Sequence, residues 1–172
     1  RELVAQFFDG CGRECLAHIS KVEIRADAPD IKRPPRVAAW LAAWLAGQLD
    51  WKPGSRRATA PGTLEASFQG PSGAVELAIR TALEPKAPFG RLTGVTLNTA
   101  DSAGSATYRL DRPAADSQEV RVEVNSPRSS SRPRLLRAPI VDAACRVSAA
   151  LESSRIDPPY KRALPIMLWL LE

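Results

Sequence analysis

Four side chains of this sequence could hold a metal or attack a substrate: Cys11, Cys15, His18 and Cys145. On a helix, Cys11, Cys15 and His18 would fall at i, i+4 and i+7 and share a face. Thiolates and an imidazole are zinc donors, with Cys145 available as a fourth. Gly10 and Gly12 argue against a helix through Cys11, and the spacing fits none of the common zinc knuckles. Small buried thiols are the plainer reading, so no metal is expected. A Cys–His nucleophile pair would also need an orienting third group, and nothing in the sequence fixes one. Serines cluster in loops, without the strand–turn–helix setting of a nucleophile elbow. Gly70-Pro71-Ser72-Gly73 carries no lysine and opens no helix, so it is no phosphate loop. Glu76 and Glu123 alternate with arginines on strand-like segments, which reads as cross-strand pairing rather than an acid/base dyad. The residues point away from an enzyme and call for no cofactor.

Recognition is the better fit. Trp40 and Trp44, followed by Trp51, lie on or just after one helix-like stretch, and Trp169 lies in the apolar tail Ile166–Leu171. Tryptophan is enriched among the residues that dominate interfaces. Core packing competes with this reading for the main helix, and less so for the tail, which is apolar on all sides. A basic run holds Arg128, Arg132, Arg134 and Arg137 among serines and prolines. It offers a phosphate or nucleic-acid partner. It has no aromatic residue to stack on a base, which weighs against nucleic acid and for a solvated loop. The partner-binding set from sequence is therefore Trp40, Trp44, Trp51, Trp169, Arg128, Arg132 and Arg134.

These residues need elements to position them. The chain has 172 residues, about one domain. Of its apolar residues 27 are alanine, so the large side chains must be concentrated in a few patterned segments. Helical spacing runs over Glu2–Phe8, Arg36–Leu49, Ala138–Arg155 and Tyr160–Glu172, the last interrupted at Pro165. In Arg36–Leu49 the stripe Val37, Trp40, Leu41, Trp44, Leu45 and Leu49 is expected to lie on a sheet. The strip Ala39, Ala42, Ala43, Ala46 should then meet a second helix. Apolar residues alternate in Lys21–Ala26, Leu64–Gln69, Val75–Arg80, Val95–Asn98, Thr107–Leu110 and Val120–Asn125, with turn residues between most of the runs.

The expected fold is α+β: a meander-like antiparallel sheet of about five or six strands, with N-terminal and C-terminal helices packed on one face. The gaps are too short for the helical crossovers that parallel strands need. Residues 1–172 form a single domain with no internal linker. The start at Arg1, inside a helical pattern, suggests the C-terminal part of a longer chain.

The net charge of +5 carries 19 arginines and serves solubility as readily as phosphate binding. Ile166–Leu171 falls far short of the ~20 apolar residues that span a bilayer. Three cysteines leave at least one thiol unpaired, which suits a reducing, cytoplasmic setting.

Three segments carry a resemblance to a known family. Arg1–Asp9 (RELVAQFFD) is similar to "RELLAQLFD" in the glucose-6-phosphate dehydrogenase assembly protein OpcA family. Ala39–Trp51 (AWLAAWLAGQLDW) resembles that family's "LLAGWLASRLGW", and Ile156–Leu164 (IDPPYKRAL) its closing "DPVYEEAL". The resemblance implies a bacterial, non-catalytic partner of glucose-6-phosphate dehydrogenase that promotes the enzyme's active oligomer and raises its activity. That would support the oxidative pentose phosphate pathway and NADPH supply.

Overall fold

The computed structural model describes Val4 and residues 16–86, 90–101, 104–113, 117–127, 129–130, 132–137 and 158–172. Nine strands form one sheet: β1 (Ile19–Ala28), β2 (Lys52–Ala60), β3 (Thr63–Gly70), β4 (Gly73–Leu83), β5 (Arg91–Asp101), β6 (Gly104–Asp111), β7 (Glu119–Ser126), β8 (Ser129–Ser130) and β9 (Arg134–Arg137). Helix α1 (Arg36–Gln48) connects β1 to β2, and α2 (Pro158–Leu171) closes the chain. The α+β class holds, with more strands than the sequence suggested. The expected helix Ala138–Arg155 lies outside the described residues. So does all of Glu2–Phe8 except Val4, which is buried in the core.

The sheet runs β2-β3-β4-β1-β5-β6-β7, and both β8 and β9 pair with β7. It is not a simple meander. β4 and β5 are not neighbours: β1 lies between them, parallel to β4 and antiparallel to β5. The parallel pair is possible because α1 and the β2–β3 hairpin separate β1 from β4 in sequence and supply the crossover.

Register explains the single apolar face. Val22 pairs with Leu77 and Leu97, and Ile24 with Ile79 and Val95. Leu97 in turn pairs with Tyr108, and Val95 with Leu110. All of these are buried. The period of two then sends Lys21, Glu23, Arg25 and Asp27 to the opposite face. Strand β2 escapes an apolar-alternation reading because it has none: all of its residues but Arg56 are exposed. It is an edge strand, which tolerates Pro53, and its register slips twice against β3.

Helix α1 lies over β4, β1 and β5. It ends on a Schellman turn: Asp50 adopts φ 54° and the Trp51 N–H donates to the Ala46 carbonyl at 2.9 Å. That turn drives Trp51 into the core, where it is 4% exposed.

Candidate partner-docking surface

Of the four exposed large apolar side chains among the described residues, Leu83 and Leu135 lie apart on β4 and β9, while Tyr160 and Leu168 lie on α2 near its seam with α1. The two helices approach closely at Gly47, where an added Cβ would sit 3.1 Å from the Arg162 carbonyl carbon and 3.2 Å from the Ala163 nitrogen. Ala43, fully buried, lies one turn earlier on the same side of α1. Of the expected alanine strip, Ala39, Ala42 and Ala46 join the sheet core, and the close approach to α2 is seen at Gly47 instead. Of the tryptophan stripe, Trp44 packs against the sheet core but Trp40 turns away from it. Trp40 stacks at 57° on Tyr160 of α2, with ring centroids 4.9 Å apart. Leu41, Leu45, Ala38 and Ala42 join the sheet core instead. Trp40 and Trp44 are both half-buried.

Helix α2 runs through Pro165 without a break. A proline removes one intrahelical bond, and this one is exposed, where water can satisfy the freed carbonyl. Beyond it, Leu170 is buried, and Ile166, Met167, Trp169 and Leu171 pack partly against the core. Trp169 meets Phe68 edge-on at 5.5 Å, and Phe68 meets Trp51 at 6.0 Å. Arg56 from the edge strand lies 5.9 Å over the Trp169 ring, and its guanidinium is 3.5 Å from the Glu172 carboxylate. The apolar residue this leaves outside is Leu168, 53% exposed, with Tyr160 two turns earlier.

The tryptophans of the sequence-derived set thus occupy different positions. Trp51 is interior and presents no surface. Trp40, Trp44 and Trp169 are half-buried, and Trp40 packs on Tyr160, which sequence reasoning missed along with Leu168. Leu168 lay inside an all-apolar tail whose exposed position no local pattern could mark. Tyr160 lies at the start expected for the last helix, which in the structure opens two residues earlier with Pro158.

The arginine set lies on the far edge of the sheet. Arg134 and Arg137 belong to β9 rather than a free loop, and Arg137 donates twice, from Nε and Nη2, to the Gln118 side-chain Oε1 at 3.3 Å. Arg132 and Arg134 are exposed and have no acidic partner among the described residues. Arg128 lies outside the described residues, as do Cys11, Cys15 and Cys145. His18 is half-buried, and its carbonyl accepts a hydrogen bond from the Ala100 N–H at 3.0 Å. Among the described residues no group of three or more His, Cys, Asp or Glu could hold a metal. No described helix is long and apolar enough to cross a membrane.

Residues 1–164 match the OpcA family model described as the C-terminal domain of the glucose-6-phosphate dehydrogenase subunit. This chain belongs to that family. No curated protein is similar enough to count as a relative. The fold of this OpcA-type domain is similar to that of KijD10, a 3-ketoreductase from Actinomadura kijaniata. For one mutant of KijD10, in complex with TDP-benzene and NADP, the TM-score is 0.55 at 11% identity, covering 98% of this chain and 55% of that one. For KijD10 with NADP alone the TM-score is 0.52 at 11% identity, covering 96% and 53%. The domain therefore spans about half the length of these reductases. At such identity the likeness is one of fold alone.

Proposed function

We propose that this domain is a non-catalytic assembly factor that binds glucose-6-phosphate dehydrogenase and promotes its active oligomer, acting as an allosteric activator. The family match over residues 1–164 carries the reading. The seam between α1 and α2 supports it. Trp40, Trp44 and Trp169 supply half-buried aromatic edges, and Tyr160 and Leu168 exposed anchors, the composition of an interface hot spot. In this reading the protein works in the bacterial cytoplasm, in support of the oxidative pentose phosphate pathway and NADPH supply. An activator can act only through a higher affinity for the active state of its target. The test is the rate of the cognate dehydrogenase against glucose-6-phosphate concentration, with and without the protein. A shifted curve supports the proposal, and superimposed curves refute it.

A second reading rests on the exposed Arg132 and Arg134. With Arg128 they would bind phosphate-bearing ligands or nucleic acid, with affinity falling steeply as salt rises. Replacing all three by alanine should then abolish that binding.

A further inference from the structure

The face of the sheet opposite α1 carries charges in an order that is complementary to itself. The row Ile79, Ile24, Val95, Leu110, Val122 runs straight across β4, β1, β5, β6 and β7 by register. These side chains point into the core, so the residues on either side of the row point outward. On β1 the flanking pair is Glu23 and Arg25, on β6 Arg109 and Asp111, and on β7 Arg121 and Glu123. Each pair is one acid and one base, one on either side of the row. Two residues further out on β1, Lys21 and Asp27 repeat the relation.

A two-fold axis laid along this row stacks a second copy face to face with its strands reversed. Every residue then meets the one equally far beyond the row. Glu23 faces Arg25 of the second copy, Lys21 faces Asp27, Arg109 faces Asp111, and Arg121 faces Glu123. The other flanking pairs are Thr63 with Glu65, Ala78 with Arg80, and Gly94 with Thr96, so none opposes like charges. An axis along β1 instead would set Lys21 on Lys21 and Glu23 on Glu23. Opposite charges at the flanking positions of three strands, repeated at Lys21 and Asp27, select the first arrangement and the identity of the occupant.

Charged side chains of this face stay exposed, and the face is large enough. Side chains of Lys21, Arg109 and Glu23 keep 49%, 48% and 30% of their surface. Six strands, β3 to β7 with β1, spaced ~4.8 Å apart and about eight residues long at ~3.3 Å each, span roughly 750 Å² in projection. A standard interface buries about 800 Å² per partner. We propose that this sheet face is a homodimer interface, two copies stacking through it about a two-fold axis across the strands. This stands independently of the dehydrogenase reading.

Sedimentation velocity on the full-length protein tests it with two variants. Glu123→Arg and Arg121→Glu each oppose like charges across the axis, and each should weaken the dimer by roughly tenfold or more. Mixed in equal amounts they restore opposite charges, so a heterodimer should re-form. Circular dichroism checks that both fold. Should either fail, Lys21→Glu, which would oppose Asp27 of the second copy, carries the same test. A protein monomeric at about 100 μM, where any tighter Kd would show, overturns the proposal. So does a dimer that the reversals leave intact, or a mixture that stays monomeric.

Discussion

Arg25 on β1 reaches across β5 to the carboxylate of Asp111 on β6, and it does so over Gly94. A Cβ at position 94 would lie 2.5 Å from the Arg25 Nη2 and 2.9 Å from the Asp111 Oδ1. The glycine keeps open a lane through which the longest side chain of one strand bridges two strands away. Asp111 also pairs with Arg109 at 2.5 Å, and Arg25 with Glu23, which in turn meets Arg80. The bridge is therefore the middle of a network on the polar face.

Gly94→Ala should close that lane. The obstructed atoms are the tips of side chains, so the guanidinium can swing away, and the cost should stay below about 1 kcal/mol. The coupling between Arg25 and Asp111 should vanish. A double-mutant cycle with Arg25→Ala and Asp111→Ala, measured in both backgrounds, reads it directly. Coupling unchanged by Gly94→Ala would contradict the geometry.

The turn after α1 yields a stabilising substitution. Asp50 holds φ 54°, which an L side chain adopts at a cost and glycine does not. Asp50→Gly should raise stability by about 0.5 kcal/mol in chemical denaturation, with no change in m. A loss would mean that the carboxylate has a role the Schellman turn does not explain.

The α1–α2 seam should respond in the opposite direction. Gly47 meets backbone of α2, which cannot move aside as a side-chain tip can. Gly47→Val should destabilise by about 2 kcal/mol, despite replacing a helical glycine. The Trp40–Tyr160 stack should loosen with it, read as a shift in tryptophan fluorescence. An unchanged melting curve would contradict a close-packed seam.

Particular residues show what the sequence made legible. The alternation of Val22 and Ile24, of Leu64, Ala66 and Phe68, and of Val120, Val122 and Val124 marks strands with one wet face, and the pairing follows it. The cross-strand pairing inferred for Glu76 is seen with Lys21 at 3.8 Å. Three features were not legible. β2 has no buried side, so it leaves no periodic trace. The position of β1 between β4 and β5 is a pairing choice between distant segments, which no local pattern encodes. The third is the direction of Trp40, whose bulk suggests a place on the sheet beside Leu41, Trp44 and Leu45. The alanines allow the closest approach to the core, and Trp40 covers the gap to α2 instead.

Surface and core aromatic residues should separate under mutation. Phe68 is 3% exposed between Trp51 and Trp169, so Phe68→Ala should cost about 3–4 kcal/mol. Leu168→Asp, at an exposed position, should leave stability within about 0.5 kcal/mol. In the proposed docking role the same Leu168→Asp should weaken binding to the dehydrogenase at least roughly tenfold. Wild-type affinity in that variant would move the docking surface elsewhere.

The most direct measurement of the central claim is sedimentation velocity on the cognate glucose-6-phosphate dehydrogenase, alone and with the full-length protein. The account predicts that the protein co-sediments with the enzyme and shifts it toward a larger oligomer, in step with the gain in rate. An enzyme whose sedimentation and rate are the same with and without the protein would contradict it.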